Sequence, residues 1–241
     1  MDGWRARLGF LLPPGNPNVE PELFALKPFG VSVHFGRMIA RGTPGAHDGQ
    51  DARTQSQLDH IDEPTEMLAL IRPQVIALAH TASSYMLGRE GEQALTARLE
   101  RQYNVRFTSA FASVIAAMNH LGVSKIALGT PYAEAQTLAG KGALQEYGMA
   151  VVNVRRLENV RNIYEETPER AYALAKAANT PEAEVVFLSG VGMPTIEVLD
   201  ALERDLGKPV ISSVAAMMWH CLKIAGVEPV VPGYGRLLRG A

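Results

Sequence analysis

The chain has 241 residues, of which 47% are hydrophobic and 20% are charged, a balance that excludes a disordered or fibrous protein. Its 23 basic and 25 acidic side chains give a net charge of −2 without a long block of like charge, which argues against nucleic acid as a partner. The apolar runs are far shorter than the roughly 20 residues that span a bilayer, which argues against a membrane partner as well.

Short β-type runs alternate along the chain with longer segments of helical period, the pattern of βα units around a mostly parallel sheet. Strands are predicted near residues 6–12, 31–39, 74–79, 124–129, 149–154, 184–189 and 209–212. Helices are predicted over residues 55–71, 89–103, 109–121, 133–147, 167–178, 195–206 and 213–225. The pattern therefore predicts an α/β protein.

This organisation occurs twice, beginning near Arg7 and again near Lys125. It predicts two similar halves, each a mostly parallel sheet flanked by helices, with the site in the cleft between them. Ligands of α/β proteins bind outside the carboxyl ends of the strands, where the two halves would face each other. We assign residues 1–112 and 213–241 to the first half and residues 113–212 to the second.

The first polar cluster at a predicted strand end is a turn rich in proline and glycine over residues 12–20, which presents Asn16 and Asn18. An asparagine amide has two donors and one acceptor, which suits a carboxylate or carbonyl oxygen. A turn or helix cap explains each asparagine, taken alone, at least as well.

The second cluster follows the strand at 74–79 and contains His80, Thr81 and Ser83. Hydroxyls and free backbone N–H groups at a helix start form a cradle for an anion. Imidazole titrates near neutrality and is able to donate or accept a proton. In the alternative interpretation Thr81 and Ser83 cap the helix and His80 is a hydrogen-bonded core residue.

Two further clusters follow later strands. Thr130 and Tyr132 offer a hydroxyl and a phenol that are able to hydrogen-bond an oxyanion, although a tyrosine in this place is more often a packing residue. Gly190, Val191 and Gly192 form a loop whose glycines let backbone approach a ligand closely. Taken alone, this glycine loop is a weak signal.

The sequence contains neither a nucleotide-binding glycine fingerprint nor a metal-ligand spacing such as H-E-x-x-H, so we expect chemistry without a cofactor or a metal. A single cysteine, Cys221, excludes an internal disulfide and a cysteine-cluster metal site. The first residues lack the features of a secretory signal, so we expect a cytoplasmic protein.

Together, in this order and spacing, the clusters resemble the arylmalonate decarboxylase and maleate isomerase branch of the aspartate/glutamate racemase superfamily. The resemblance rests on Pro13-x-x-Asn16-x-x-x-Glu20, Gly129-Thr-Pro-Tyr132, Thr81 and the tail at 232–237. It implies a cleft in which amides, hydroxyls and a tyrosine hold carboxylate oxygens and stabilise an enediolate. It also leaves homo-oligomerisation open.

In this family, one or two cysteines at paired strand ends move the proton or attack a double bond. The resemblance puts His80 at the first cysteine position and Gly190 at the second, so that both thiols are missing. Glycine supplies neither a proton carrier nor a nucleophile. Cys221 falls within an apolar helical stretch, where we expect a buried structural cysteine.

The leading hypothesis is a cofactor-independent lyase, most simply a decarboxylase, that acts on a small carboxylate or dicarboxylate through an enolate-like intermediate. The predicted catalytic residues are His80 as acid/base and Tyr132, and the predicted substrate-binding residues are Asn16, Thr81, Ser83, Thr130, Gly190, Val191 and Gly192. One alternative is an isomerase or a hydrolase that uses the same cleft, with His80 activating water. Another is a non-catalytic carboxylate-binding protein.

Overall fold

The computed structural model describes residues 3–239 and contains two four-stranded sheets in this range. The strands of the first sheet are β1 (Ala6–Leu12), β2 (Val31–Arg37), β3 (Val75–Leu78) and β4 (Arg106–Ser109). The strands of the second sheet are β5 (Lys125–Thr130), β6 (Ala150–Arg156), β7 (Val185–Leu188) and β8 (Val210–Ser212). Every pairing within both sheets is parallel, which confirms the predicted α/β class.

Helices flank these sheets. They are α1 (Val19–Leu26), α2 (Gln50–Asp59), α3 (Asp62–Ala69), α4 (Thr81–Tyr103), α5 (Ala110–Leu121), α6 (Glu134–Glu146), α7 (Pro168–Ala178), α8 (Ile196–Leu206) and α9 (Ser213–Ile224). Two short 3-10 helices cover Ile163–Glu165 and Arg236–Leu238. Over residues 3–239, none of the helices combines the length and apolar character needed to cross a membrane.

The two sheets repeat one topology. Their strand orders are β2-β1-β3-β4 and β6-β5-β7-β8, so corresponding strands occupy corresponding places. The carboxyl ends of β3 and β7 therefore lie at equivalent positions, and His80 and Gly190 follow them. The sheets comprise residues 6–109 and 125–212, while the exact division into halves stays a prediction.

Helices α5 and α9 join the two halves by packing against each other. Each begins in the same way, because Ser109 and Ser212 accept a hydrogen bond from the backbone N–H three residues later. Such serine caps satisfy a free N–H group at the helix start. Buried apolar residues of both helices belong to one continuous core that includes strands of both sheets. The strand ends of the two halves are thereby held at fixed places.

Several elements differ from the sequence prediction. The single helix predicted over residues 55–71 is two helices, α2 and α3. The helix predicted at 89–103 corresponds to the part of α4 that follows Gly88, and the preceding part of α4, from Thr81, was not predicted. Gly88, with φ +64°, kinks that helix. The short elements α1 and β4 were not predicted, because eight- and four-residue segments carry little periodicity.

Candidate active site

A small cavity of about 110 Å³ lies next to the carboxyl ends of the first sheet. Its walls are the turn after β1, the loop before α2, one face of α2, the side chain of His80, and Ile163 with Tyr164 from the second half. Both halves therefore contribute to the cavity, as expected for a site between them.

His80 precedes α4 and adopts an extended backbone conformation that turns the chain from β3 into the helix. Its ring Nδ1 lies 2.8 Å from Ser83 Oγ, and its carbonyl accepts a hydrogen bond from the Ser83 N–H at 3.1 Å. The ring Nε2 has no hydrogen-bond partner among residues 3–239. Ser83 therefore orients the ring and leaves one ring nitrogen available to a ligand in the cavity.

Burial lowers the pKa of His80 to about 4, and the positive charge of Arg53 contributes. The imidazole is consequently neutral at physiological pH. A neutral imidazole accepts a proton at one nitrogen and donates at the other, with the tautomer set by its hydrogen-bond partner. An anion that entered the cavity would favour the imidazolium form, since an opposite charge nearby raises the pKa of a histidine.

Thr81 and Gly190 meet at the hydroxyl of Ser213, the first residue of α9. Thr81 Oγ1 donates to Ser213 Oγ at 3.3 Å, and the backbone N–H of Gly190 donates to the same oxygen at 3.1 Å. All three residues are buried. The strand ends of the two halves are thus linked by one serine, which the sequence interpretation did not identify as a site residue.

Gly190 and Tyr132 are in close contact. The φ of Gly190 is +100°, and a Cβ atom at this position would lie 2.9 Å from the Tyr132 hydroxyl oxygen. A side chain is therefore opposed both by the backbone conformation and by the phenol. Burial raises the pKa of Tyr132 well above its usual value, so the phenol stays protonated and remains a donor.

The amide of Asn16 bridges the halves within the protein. Its Nδ2 donates to the carbonyl of Val191 at 3.1 Å, while its Oδ1 accepts from the N–H groups of Asn18 at 2.9 Å and Val19 at 3.3 Å. The side chain is fully buried. Asn16 therefore organises the start of α1 and holds the loop after β7.

The remaining predicted residues are also buried. Thr130 Oγ1 lies 2.6 Å from Thr137 Oγ1 in α6, and the carbonyl of Gly192 accepts from Asn18 Nδ2 at 2.7 Å. A Cβ atom at Gly192 would lie 2.8 Å from the ring of Tyr164. His80 lines the cavity, whereas the other predicted residues, Asn16, Thr81, Ser83, Thr130, Tyr132, Gly190, Val191 and Gly192, are not part of its lining.

The cavity has a polar wall that the sequence interpretation missed. Four residues of α2, namely Gln50, Arg53, Thr54 and Gln57, line it at the spacing i, i+3, i+4, i+7. This spacing places them on one helix face. The signal was present in the sequence, but a helix without an apolar stripe does not stand out when hydrophobic periodicity is used to find helices.

Contacts between the halves lie next to the cavity. The N–H of Ile163 donates to the carbonyl of Gly45 at 3.0 Å, and His47 Nε2 lies 3.0 Å from the carbonyl oxygen of Pro131. Burial raises the pKa of Tyr164 to about 12, so its phenol is neutral. These contacts join loops that are far apart in sequence, so they could not be predicted from the spacing of residues.

Cys221 is not part of the cavity. It is fully buried in α9, and burial raises the pKa of its thiol well above the usual value. A protonated, inaccessible thiol is a poor nucleophile. Among residues 3–239, the His, Cys, Asp and Glu side chains form no group able to hold a metal ion.

The chain is similar to proteins of known name over nearly its full length. It is 26% identical to an arylmalonate decarboxylase of Bordetella bronchiseptica over 236 residues, which cover 95% of each chain. The structure of the maleate isomerase Iso from Pseudomonas putida S16, a cysteine-to-alanine variant with maleate, superimposes with a TM-score of 0.89 at 23% identity and 98% coverage of each chain.

A second similar structure is that of a Nocardia farcinica maleate cis-trans isomerase with a covalently bound succinylcysteine intermediate. It superimposes with a TM-score of 0.87 at 23% identity and covers 97% of this chain and 98% of its own. At these identities the superpositions show a shared fold. The family model for arylmalonate decarboxylase matches residues 8–238. Since that match spans nearly the whole sequence, the chain belongs to the arylmalonate decarboxylase family.

Proposed function

We propose that this protein is a cofactor-independent enzyme that acts on a small carboxylate or dicarboxylate, most simply as a decarboxylase. The observation that carries the proposal is His80, which is oriented by Ser83 and presents its ring to a small cavity that also contains Arg53. The relatives named arylmalonate decarboxylase and maleate isomerase support a lyase or isomerase reaction on small acids.

In the proposed reaction, the bond between the α-carbon of the substrate and one carboxylate carbon breaks, and carbon dioxide leaves. The electron pair of that bond is delocalised into the remaining carboxyl group as an enediolate. His80 Nε2 then supplies a proton to the α-carbon. A positioned acid/base contributes about 10²- to 10⁴-fold to the rate.

The negative charge of the enediolate needs hydrogen-bond donors. Tyr132, Thr81 and the Gly190 N–H are buried donors at the paired strand ends. A substrate oxygen that displaced the Ser213 hydroxyl would receive the hydrogen bonds of Thr81 and Gly190. Each such donor is worth roughly 10²- to 10³-fold in rate, so the donors support catalysis without a thiol.

In this account His80 takes up a proton from solvent when the substrate binds. The pKa of His80 is about 4 in the free protein, partly because Arg53 is near. A bound dicarboxylate would offset the charge of Arg53 and place negative charge beside the ring, and both effects raise the pKa of a histidine. The substrate would therefore convert His80 into the acid that the reaction requires.

We propose that the chemistry does not use cysteine, with His80 and Gly190 at the two positions where the resemblance has thiols. The only cysteine of the chain, Cys221, is buried in α9 away from the cavity. A succinylcysteine intermediate like that of the Nocardia isomerase would have no thiol at this site. The duplicated strand order supports membership of the wider aspartate/glutamate racemase superfamily.

Two other functions each have a supporting observation. The neutral imidazole of His80 is a base at physiological pH, which favours activation of water, as in a hydrolase, or proton removal, as in an isomerase. The Gly190 N–H is already paired with Ser213, which counts against its use as an oxyanion donor, while Arg53 lines the cavity and suits a carboxylate, which together favour a non-catalytic carboxylate-binding protein. Homo-oligomerisation and a cytoplasmic location stay predictions.

The test is product identification by NMR and mass spectrometry after incubation with malonates, maleate, amides and lactones in the presence of EDTA. The proposal expects loss of carbon dioxide from a small acid. Water addition would instead support a hydrolase, and double-bond isomerisation would support an isomerase. Thermal stabilisation by an acid without turnover of any compound would support the binding protein, because a ligand held only by the folded state raises apparent stability.

A further inference from the structure

The α2 wall, formed by Gln50, Arg53, Thr54 and Gln57, is unusual for a buried helix face. Helices of globular proteins turn an apolar stripe inwards. In α2 the buried residues are Gln50, Thr54 and Gln57, with Arg53 partly buried between them. Because all four residues line the cavity, the polar face meets open space in place of an apolar core.

One polar atom of this wall lacks a partner. Gln57 Oε1 is buried and accepts no hydrogen bond from the protein. Leaving a buried acceptor unsatisfied costs free energy. The oxygen has almost no accessible surface, but Gln57 lines the cavity, so a rotation of its side chain would bring Oε1 to a donor of a bound molecule. A carbonyl oxygen accepts but cannot donate, so the complementary group is an O–H or an N–H.

Arg53 supplies the charge of the wall. Its guanidinium donates to the carbonyls of Ala46 and Asp48, which fixes the group against the loop before α2. A guanidinium has five N–H donors, so others remain for a ligand. In the described part of the chain, Arg53 forms no salt bridge, and the cavity lining includes no acidic side chain. A carboxylate fits this fork and balances its charge.

The size of the cavity limits what the wall can bind. A dry cavity of about 150 Å³ accommodates one benzene molecule. The present cavity is about 110 Å³ and also has to admit the reacting carboxylate next to His80. The volume next to His80 therefore favours a short aliphatic chain over an aryl substituent.

From these contacts we infer that the α2 wall is the specificity subsite of the cavity and that the substrate is a short aliphatic dicarboxylate carrying a hydroxyl or amide N–H. Arg53 binds one oxygen of its second carboxylate, the group that becomes the enediolate and whose other oxygen receives the hydrogen bonds of Thr81 and Gly190. Gln57 Oε1 accepts its hydrogen-bond donor. The inference rests on the proposed function, because it takes the cavity next to His80 as the reaction site. The role that it gives to the α2 wall is to determine which carboxylic acid binds as the substrate.

Calorimetric titration of the full chain with four probes tests the inference: malate, succinate, butyrate and phenylmalonate. Malate has both carboxylates and a hydroxyl, succinate lacks the hydroxyl, and butyrate lacks the second carboxylate as well. The expected order of affinity is malate, then succinate, then butyrate, with no binding of phenylmalonate. Phenylmalonate binding as tightly as malate, or no binding of either aliphatic dicarboxylate, would overturn the inference.

Gln57→Leu separates recognition from folding. It removes the acceptor but keeps a side chain of similar size, so malate should lose about fivefold in affinity while the affinity for succinate stays the same. The matched control is Gln55→Leu on the same helix, where the side chain is exposed and pairs with Asp59. An unchanged ratio of malate to succinate affinity in Gln57→Leu would contradict the assignment.

Arg53→Gln tests the carboxylate contact. It should lower the affinity for malate and for succinate by about 10- to 100-fold and leave the affinity for butyrate unchanged. Arg53 also donates hydrogen bonds to two loop carbonyls, so Arg53→Lys is made in parallel. Lysine keeps the positive charge but lacks the paired N–H donors of the guanidinium. Arg53→Lys should bind both dicarboxylates less tightly than the unaltered chain. Arg101→Gln, at an exposed position of α4, is the control. Unchanged succinate affinity in both Arg53 variants would overturn the inference.

The two proposals fail in different ways. Binding of malate through Arg53 and Gln57 without turnover of any acid would refute the proposed reaction and retain the subsite. Decarboxylation of an acid with the same KM in the unaltered chain and in Arg53→Gln would refute the subsite and retain the reaction.

Discussion

The carboxylate of Glu22 in α1 accepts a hydrogen bond from the backbone N–H of Thr195 at 2.5 Å, and the same oxygen accepts from Ile196 at 2.9 Å. An acid of the first half thus caps the start of α8 in the second half. Burial, with a smaller contribution from the charge of Glu197, raises the pKa of Glu22 to about 7. The contact between the halves therefore contains a group that titrates near neutrality.

Glu22→Gln should remove a pH dependence of stability. Between about pH 4.5 and 7 the unfolded chain releases the Glu22 proton before the folded protein does, so the free energy of unfolding falls as pH rises. The full loss, about 3 kcal/mol, is reached above pH 7. The side-chain oxygen of glutamine is still able to accept the hydrogen bonds of the Thr195 and Ile196 N–H groups. Urea unfolding across this pH range should show the variant gaining stability relative to the unaltered chain, and an identical pH profile would contradict the pKa.

His80 should produce the opposite slope. Its pKa is lowered from 6.5 to about 4, so between these values the unfolded chain holds a proton that the folded protein does not. The stability that depends on the neutral ring is complete above pH 6.5 and is lost, by about 3 kcal/mol, as pH falls towards 4. Urea unfolding of His80→Gln should therefore show less acid destabilisation than the unaltered chain. Equal acid destabilisation would indicate a solvated ring.

Gly190→Ala should be more destabilising than Gly233→Ala. Both glycines have nearly the same φ, +100° and +98°, but only Gly190 would place its Cβ against Tyr132, because nothing lies within 4 Å at Gly233. The backbone cost shared by both variants is of order 1–3 kcal/mol. Adding Tyr132→Phe, which removes the hydroxyl oxygen, should reduce the additional cost at position 190. Equal unfolding free energies for the two alanine variants would contradict the close contact.

Ser213→Ala should destabilise the protein by about 1–3 kcal/mol, because it leaves Thr81 Oγ1 and the Gly190 N–H without their acceptor. In combination with Thr81→Val, the cost should be smaller than the sum of the single variants, since one unsatisfied donor is then removed. Chemical unfolding of the two single variants and the double variant measures this coupling. Ser124→Ala, at an exposed position, is the control, and strict additivity would argue against the Thr81–Ser213 hydrogen bond.

The parts of the fold with strong hydrophobic periodicity were predictable from the sequence. Strands such as β1 and β7 and helices such as α8 were identified within a few residues, because their burial follows the local pattern. His80 was identified because a titratable residue directly follows a buried strand. These predictions depend on information local to the chain.

The polar interior was not predictable in the same way. The α2 wall has no apolar stripe, and Ser213 becomes significant only because α9 brings it between Thr81 and Gly190. Asn16 was expected to face a substrate, whereas its amide is hydrogen-bonded to Val191, Asn18 and Val19. Such partners lie up to 175 residues apart in sequence, so single-sequence spacing carries no signal for them.

The most direct test of the proposed function is the turnover rate of His80→Gln on the best small carboxylate substrate, measured at saturation in the presence of EDTA. His60→Gln, which alters an exposed histidine at the end of α2, is the matched control. If His80 is the acid/base, kcat of His80→Gln should fall by about 10²- to 10⁴-fold while that of His60→Gln stays unchanged. A kcat of His80→Gln equal to that of the unaltered protein would contradict the proposal.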